Sequence, residues 1–186
     1  MKRREFISLV GGAAAWPLAA RAQQPERMRR IGVLMSSYAE DEPEGKARFA
    51  AFIEGLRQLD WIGGRNVQID IRWGAGGTLR KAAAELVAVA PDVIVSANSD
   101  STIALREITR TLPIVFVNVS DPVGAGYVAS LARPGGNATG FIFVEYGMAG
   151  KWLELLKEIA PHVTRAAILR DPTLPVGIGQ LAQFNP

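Results

Sequence analysis

The chain has 186 residues, 48% hydrophobic and 21% charged, with no cysteine. That is the balance of one globular domain, or one and part of another, and it excludes disordered, fibrous and disulfide-stapled classes. The formal charge is +3, but residues 1–22 hold four of the 21 basic side chains and one of the 18 acids, leaving 17 of each; a nucleic-acid binder needs a surplus of Lys and Arg against phosphate, so no nucleic-acid partner is expected.

Residues 1–22 read MKRREFISLVGGAAAWPLAARA. A basic start (Lys2, Arg3, Arg4), an apolar run from Phe6 to about Ala20 and a small-x-small end at Ala20–Ala22 are the layout of an export signal cleaved after Ala22. The run is shorter than the ~20 residues of a membrane span, and Gly11, Gly12 and Pro17 break it. Arg3 and Arg4 followed by Phe6 and Ile7 match a twin-arginine address; a Sec signal that begins with two arginines is the other reading. Export machinery is thus one expected partner and the periplasm the expected location. Residues 23–29 read as a linker.

From Arg30 onward short apolar runs alternate with longer amphipathic ones. RIGVLMSS (Arg30–Ser37) predicts a buried strand, and Pro43–Trp61 a helix with Phe49, Phe52, Ile53, Leu56 and Leu59 on one face. VQIDIRW (Val67–Trp73) alternates as a strand, and a helix capped by Thr78 follows. Asp92–Asn98 predicts a strand, Ser101–Thr111 a helix and Pro113–Ser120 a further strand. After a turn at Gly124–Gly126, YVASLA (127–132) reads as a short helical piece and Ala138–Val144 as a strand. A helix over Ala149–Pro161 and a strand over Thr164–Asp171 end the series. This alternation predicts an α/β fold, a doubly wound parallel sheet covered on both faces.

In such a sheet, ligands meet the carboxyl ends of the strands. Those ends carry Ser36 and Ser37, then Asn98, Ser99, Ser101 and Thr102, then Asn118 and Asp121. Each taken singly is explained as a cap or turn former. Three strand ends alike point to a binding site, and a helix starting at Ser101 offers N–H groups suited to a carboxylate. These eight residues are the candidate ligand contacts. No cofactor or metal is expected: the first strand is not followed by G-x-G-x-x-G, His162 is the one histidine, and no His/carboxylate cluster stands out.

The segment DPVGAGYVASLARPGGNATG (Asp121–Gly140) resembles the signature of a family of ABC-transporter substrate-binding proteins of the tryptophan/tyrosine type. RIGVL, FIEGLRQL, GGRNVQIDIRW and KWLELLKEIAPHVTRAAILRDP resemble it as well, in order and spacing. The family is similar to type I periplasmic binding proteins, with two α/β lobes closing on a small ligand. The resemblance implies a periplasmic solute-binding component of an ABC importer, with a small molecule such as an amino acid as ligand and an inner-membrane permease as partner. It implies an N-terminal lobe over residues 30–144, and a hinge crossing with the start of an incomplete second lobe over residues 145–186. On that reading this copy is a truncated fragment with impaired binding. Its apolar positions Trp152, Leu153, Leu155, Leu156 and Ile159 would fold back, self-associate or stay exposed. The alternative is an enzyme on the same fold, with Asp100 and Asp121 as paired acids at neighbouring strand ends.

Overall fold

A computed structural model describes residues 27–144, 147–169 and 181. The expected export signal, most of the linker and the end of the expected last strand lie outside the described residues. Five strands form one parallel sheet: β1 (Arg29–Met35), β2 (Val67–Trp73), β3 (Val93–Ser96), β4 (Ile114–Val119) and β5 (Ala138–Ile142). Their order across the sheet is β2-β1-β3-β4-β5. The chain therefore steps from β1 to β2 in one direction, then returns past β1 and continues in the other.

Helices α1 (Pro43–Gln58), α2 (Leu79–Ala88) and α3 (Ser99–Ile108) make the crossovers. Right-handed connections put α1 on one face and α2 and α3 on the other, and α2 and α3 pack on each other and on the sheet. This is the doubly wound α/β fold expected. The core lies under α2 and α3, where Leu34, Leu86, Ile94, Leu105, Ile114 and Phe116 are all but sealed from solvent. Gly32 belongs to the same packing, because a Cβ there would sit 3.0 Å from Leu86.

The α1 face is thinner. Phe49, Phe52, Ile53 and Leu56 are only half-buried, and Gly45 is the buried residue of the helix. Glycine inside a helix costs about 1 kcal/mol against alanine. Close packing explains its use here: a Cβ would stand 2.8 Å from Cζ3 of Trp73 and 2.9 Å from Cβ of Tyr38.

Four expectations are corrected. YVASLA is not helical. The Tyr127 and Val128 amides both donate to the Pro122 carbonyl, Ala129 N–H donates to Pro134, and Gly126 turns through a φ of 71°; these amides are committed to turns. Thr78 does not cap α2 through its side chain: its hydroxyl accepts from Ala75 N–H and donates to the Ala75 carbonyl across a 3₁₀ turn. Helix α3 begins at Ser99, not Ser101, because Asn98 is the cap. The described part of the expected last strand, residues 164–169, is exposed and makes no strand; among the described residues it pairs with none of the five strands. Before it, helix α4 (Met148–Ile159) forms as expected, but Trp152, Leu155, Leu156 and Ile159 are exposed.

Candidate functional site

Strand order reverses between β1 and β3, which makes their carboxyl ends the switch point at which sheets of this kind bind ligands. Ser36 and Ser37 leave β1 on one side, and the β3–α3 turn supplies Asn98 on the other. Ser36 donates its hydroxyl to Asn98 Oδ1, and Asn98 Nδ2 donates to Ser37 Oγ at 2.8 Å. One amide side chain thus ties both serines across the switch point.

The same Asn98 starts the helix. Its Oδ1 accepts from Ser101 N–H at 3.1 Å, while Ser101 Oγ accepts from Asn98 N–H at 3.1 Å, a reciprocal capping box. Behind it lies a sealed hydroxyl cluster. Ser96 Oγ is 2.8 Å from Ser101 Oγ and 2.7 Å from Thr102 Oγ1, and Thr102 Oγ1 donates to the Asn98 carbonyl at 2.7 Å. Ser96, Ser101 and Thr102 have no solvent exposure. Ser96 was not among the expected residues. Its signal was present: a hydroxyl as the last residue of an apolar strand, two before the cap.

At the end of β4 the backbone bends. Its pairing with β5 shifts register between Phe116 and Val119. Asn118 and Asp121 sit at φ of 57° and 47°, and Ser37 at 72°; such left-handed values are uncommon for residues with a Cβ and gather at functional turns. Asn118 is exposed, whereas Asp121 is buried and its Oδ1 accepts from Gly124 N–H at 2.8 Å. A Cβ at Gly124 would overlap that carboxylate, which is why the turn carries glycine.

The eight expected contacts therefore divide by burial. Ser37 and Asn118 are exposed and Asn98 and Ser99 half-buried, all on the strand-end edge. Ser36, Ser101, Thr102 and Asp121 are buried, and their hydrogen bonds hold the strand-end edge together. Asp100, half-buried in the first turn of α3, adds a negative charge. Its influence reaches Tyr127, whose phenol is pushed up to about 12 by burial first and by Asp100 second, against a smaller pull from Arg106. Arg106 donates to the Tyr127 carbonyl and lies 5.9 Å from its ring. Among the described residues no group of three His, Cys, Asp or Glu could hold a metal ion, and no helix is long and apolar enough to cross a membrane.

A doubly wound sheet with hydroxyls, an amide and a helix start at its switch point has the geometry in which such folds hold small ligands. The family model described as ABC transporter substrate binding protein matches residues 41–179, and the chain belongs to that family. A tyrosine-binding protein of Clostridioides difficile is 30% identical over 77% of this chain and 41% of its own length. Two crystal structures superpose with a TM-score of 0.70, each covering 84% of this chain and 52% of theirs: a conserved domain protein of Vibrio cholerae at 28% identity, and the ABC domain in complex with L-Trp from Streptococcus pneumonia at 26%. The chain thus spans about half the length of the relatives it matches.

Proposed function

We propose that this chain supplies one lobe of the solute-binding component of an ABC importer, and that the strand-end crevice is one wall of its ligand cleft. Residues 30–144 make that lobe and residues 145–186 lead into a second; residues 1–22 direct export to the periplasm, where the partner is a permease of the inner membrane. The ligand class is a free amino acid. The observation that carries this reading is the Ser36–Asn98–Ser37 bridge across the switch point.

The chemistry of the edge suits a zwitterion. The first amides of α3 present N–H groups and a positive dipole end to a carboxylate, and Asp100 in the same turn suits an ammonium group. Ser37, Ser99 and Asn118 offer further hydrogen bonds from the accessible side. The buried members, Ser36, Ser101, Thr102 and Asp121, hold that frame rigid. A tyrosine-binding relative and an L-Trp complex among the similar structures agree with an amino-acid ligand.

Equilibrium dialysis of the chain against labelled L-tyrosine, L-tryptophan and D-glucose tests the reading. Weak retention of an amino acid, as a single lobe with impaired binding implies, is expected, and its reduction when Ser37 and Asn118 are both replaced by Ala. Equal distribution of both amino acids across the membrane at every protein concentration contradicts it.

A further inference from the structure

Strand β2 forms one edge of the sheet, and among the described residues no strand covers its outer side. Edge strands are usually short, bulged or blocked by Lys or Pro, because their free backbone groups invite a further strand. The seven residues of β2 pair with β1 without a shift of register, and VQIDIRW contains neither Lys nor Pro. Arg29 N–H donates to the Asn66 carbonyl and Gly74 N–H to the Met35 carbonyl, both at 3.0 Å. Even-numbered residues of β2 therefore turn their backbone groups toward β1, and odd-numbered ones turn theirs to the outer side. Val67 is satisfied locally, since its carbonyl accepts from Gly64 N–H at 2.9 Å. Ile69, Ile71 and Trp73 remain, with only Arg72 Nη1 reaching over to the Ile71 carbonyl at 2.9 Å.

We infer that β2 pairs antiparallel with β2 of a second copy of this chain, about a two-fold axis at Ile71. One register brings all the free residues into hydrogen-bonded pairs: Ile71 opposite Ile71, and Ile69 opposite Trp73 in both directions. Each such pair exchanges two backbone hydrogen bonds. The same register sets Asp70 opposite Arg72 of the second copy. A slip of two residues either way sets Asp70 against Asp70 or Arg72 against Arg72, and like charges directly opposite are destabilising. Within each copy Arg30 holds Asp70 at 2.6 Å and Glu85 lies 3.4 Å from Arg72, so signs alternate along Arg30, Asp70, Arg72 and Glu85 across the seam. On the other face, Trp73 of the second copy comes beside Ile69, at the groove that Ile53, Leu56 and Met28 line with it. Aromatic and β-branched residues make favourable cross-strand pairs, and this one adds cover to the α1 face, whose apolar residues are only half-buried in the single chain. The paired strands run in opposite directions, so the strand-end edges of the two copies face opposite ways and both stay open.

Sedimentation equilibrium of the chain tests the seam. A dimer is expected to form as concentration rises. Ile71→Pro removes an outward N–H that β1 does not use, a change edge strands tolerate, and is expected to weaken dimerisation about tenfold or more. Arg72→Asp and Asp70→Arg are each expected to weaken self-association, and an equimolar mixture of the two to dimerise again, because each charge then meets its opposite. A merely structural role for either side chain gives no such rescue. If Asp70→Arg is unfolded by circular dichroism, cross-linking takes its place, since the chain has no cysteine. In Ile71→Cys the two substituted positions lie about 5.5 Å apart across the axis, within disulfide reach, so oxidation is expected to link that variant and not Ile69→Cys. A chain that stays monomeric, a dimer that Ile71→Pro leaves intact, or equal cross-linking at both positions overturns the seam. So does a dimer lost in Ile159→Ser alone, which places the contact on α4.

Discussion

Two apolar patterns of similar strength meet opposite fates in this chain. Under α2 and α3, Leu86, Leu105, Ile94 and Phe116 interlock and lose essentially all exposure. In α4, Trp152, Leu155, Leu156 and Ile159 keep the spacing of a helix that packs on a sheet, yet remain exposed, Ile159 at 82%. Phe141 on β5 and Phe143 just past its end are exposed in the same way, 70% each. The contrast teaches that periodicity fixes the kind of element, whereas burial depends on a partner surface. The three fates left open for α4 are thereby narrowed: among the described residues its stripe stays exposed.

Substitutions sharpen the contrast, and the largest effect belongs to the core. Phe116→Ala is expected to cost about 3–5 kcal/mol of unfolding free energy, read from urea denaturation, because a sealed ring leaves a cavity. Next comes Asn98→Ala, at about 1–2 kcal/mol, since it removes the α3 cap and strands Ser36 and Ser101.

A smaller effect depends on pH. Arg30 hydrogen-bonds Asp70 at 2.6 Å between β1 and β2, and this bond holds the carboxyl below its usual 3.8 despite the opposing effect of burial. A lowered folded-state value means that the pair stabilises the fold fully above the ordinary carboxylate range. That contribution is lost as pH falls through 3.8 and on through the lower folded value. The stability gap between the chain and Asp70→Asn, clear in urea midpoints at pH 7, should therefore shrink progressively as pH falls below 3.8.

Tyr127→Phe tests the core from the other side. The buried Tyr127 hydroxyl has no hydrogen-bond partner among the described residues, so its removal should be neutral or stabilising by up to about 1 kcal/mol; a loss larger than that by thermal denaturation contradicts the assignment. Smallest of all, Ile159→Ser in the exposed stripe should change stability by less than about 0.5 kcal/mol. A core-sized loss there would show that α4 has a buried partner.

Much of this was legible in the residues. Val- and Ile-rich runs such as PIVFV and DVIV announced buried parallel strands, and all five strands of the sheet were expected. The polar edge was legible too, because hydroxyl and amide residues recur at each strand end. What the residues hid was direction. Ser101 and Thr102 have the composition of ligand contacts, but the Ser96 hydroxyl draws them inward. YVASLA has helical composition, but Gly126 and the Pro122 carbonyl bend it into turns. Trp73 and Tyr38 read as ordinary strand and loop residues; only the close approach of Gly45 brings them together. Each of these rests on a contact between residues distant in the chain or on a local backbone sign, neither of which periodicity carries.

Hydrogen–deuterium exchange of the chain with and without L-tryptophan tests the central claim most directly, because it locates any bound solute on the fold. Slowed exchange is expected together at Ser36–Tyr38, Asn98–Thr102 and Asn118–Gly124, the three strand ends of one edge. Protection confined to the opposite edge, around Met28, Trp61 and Ile62, would contradict it.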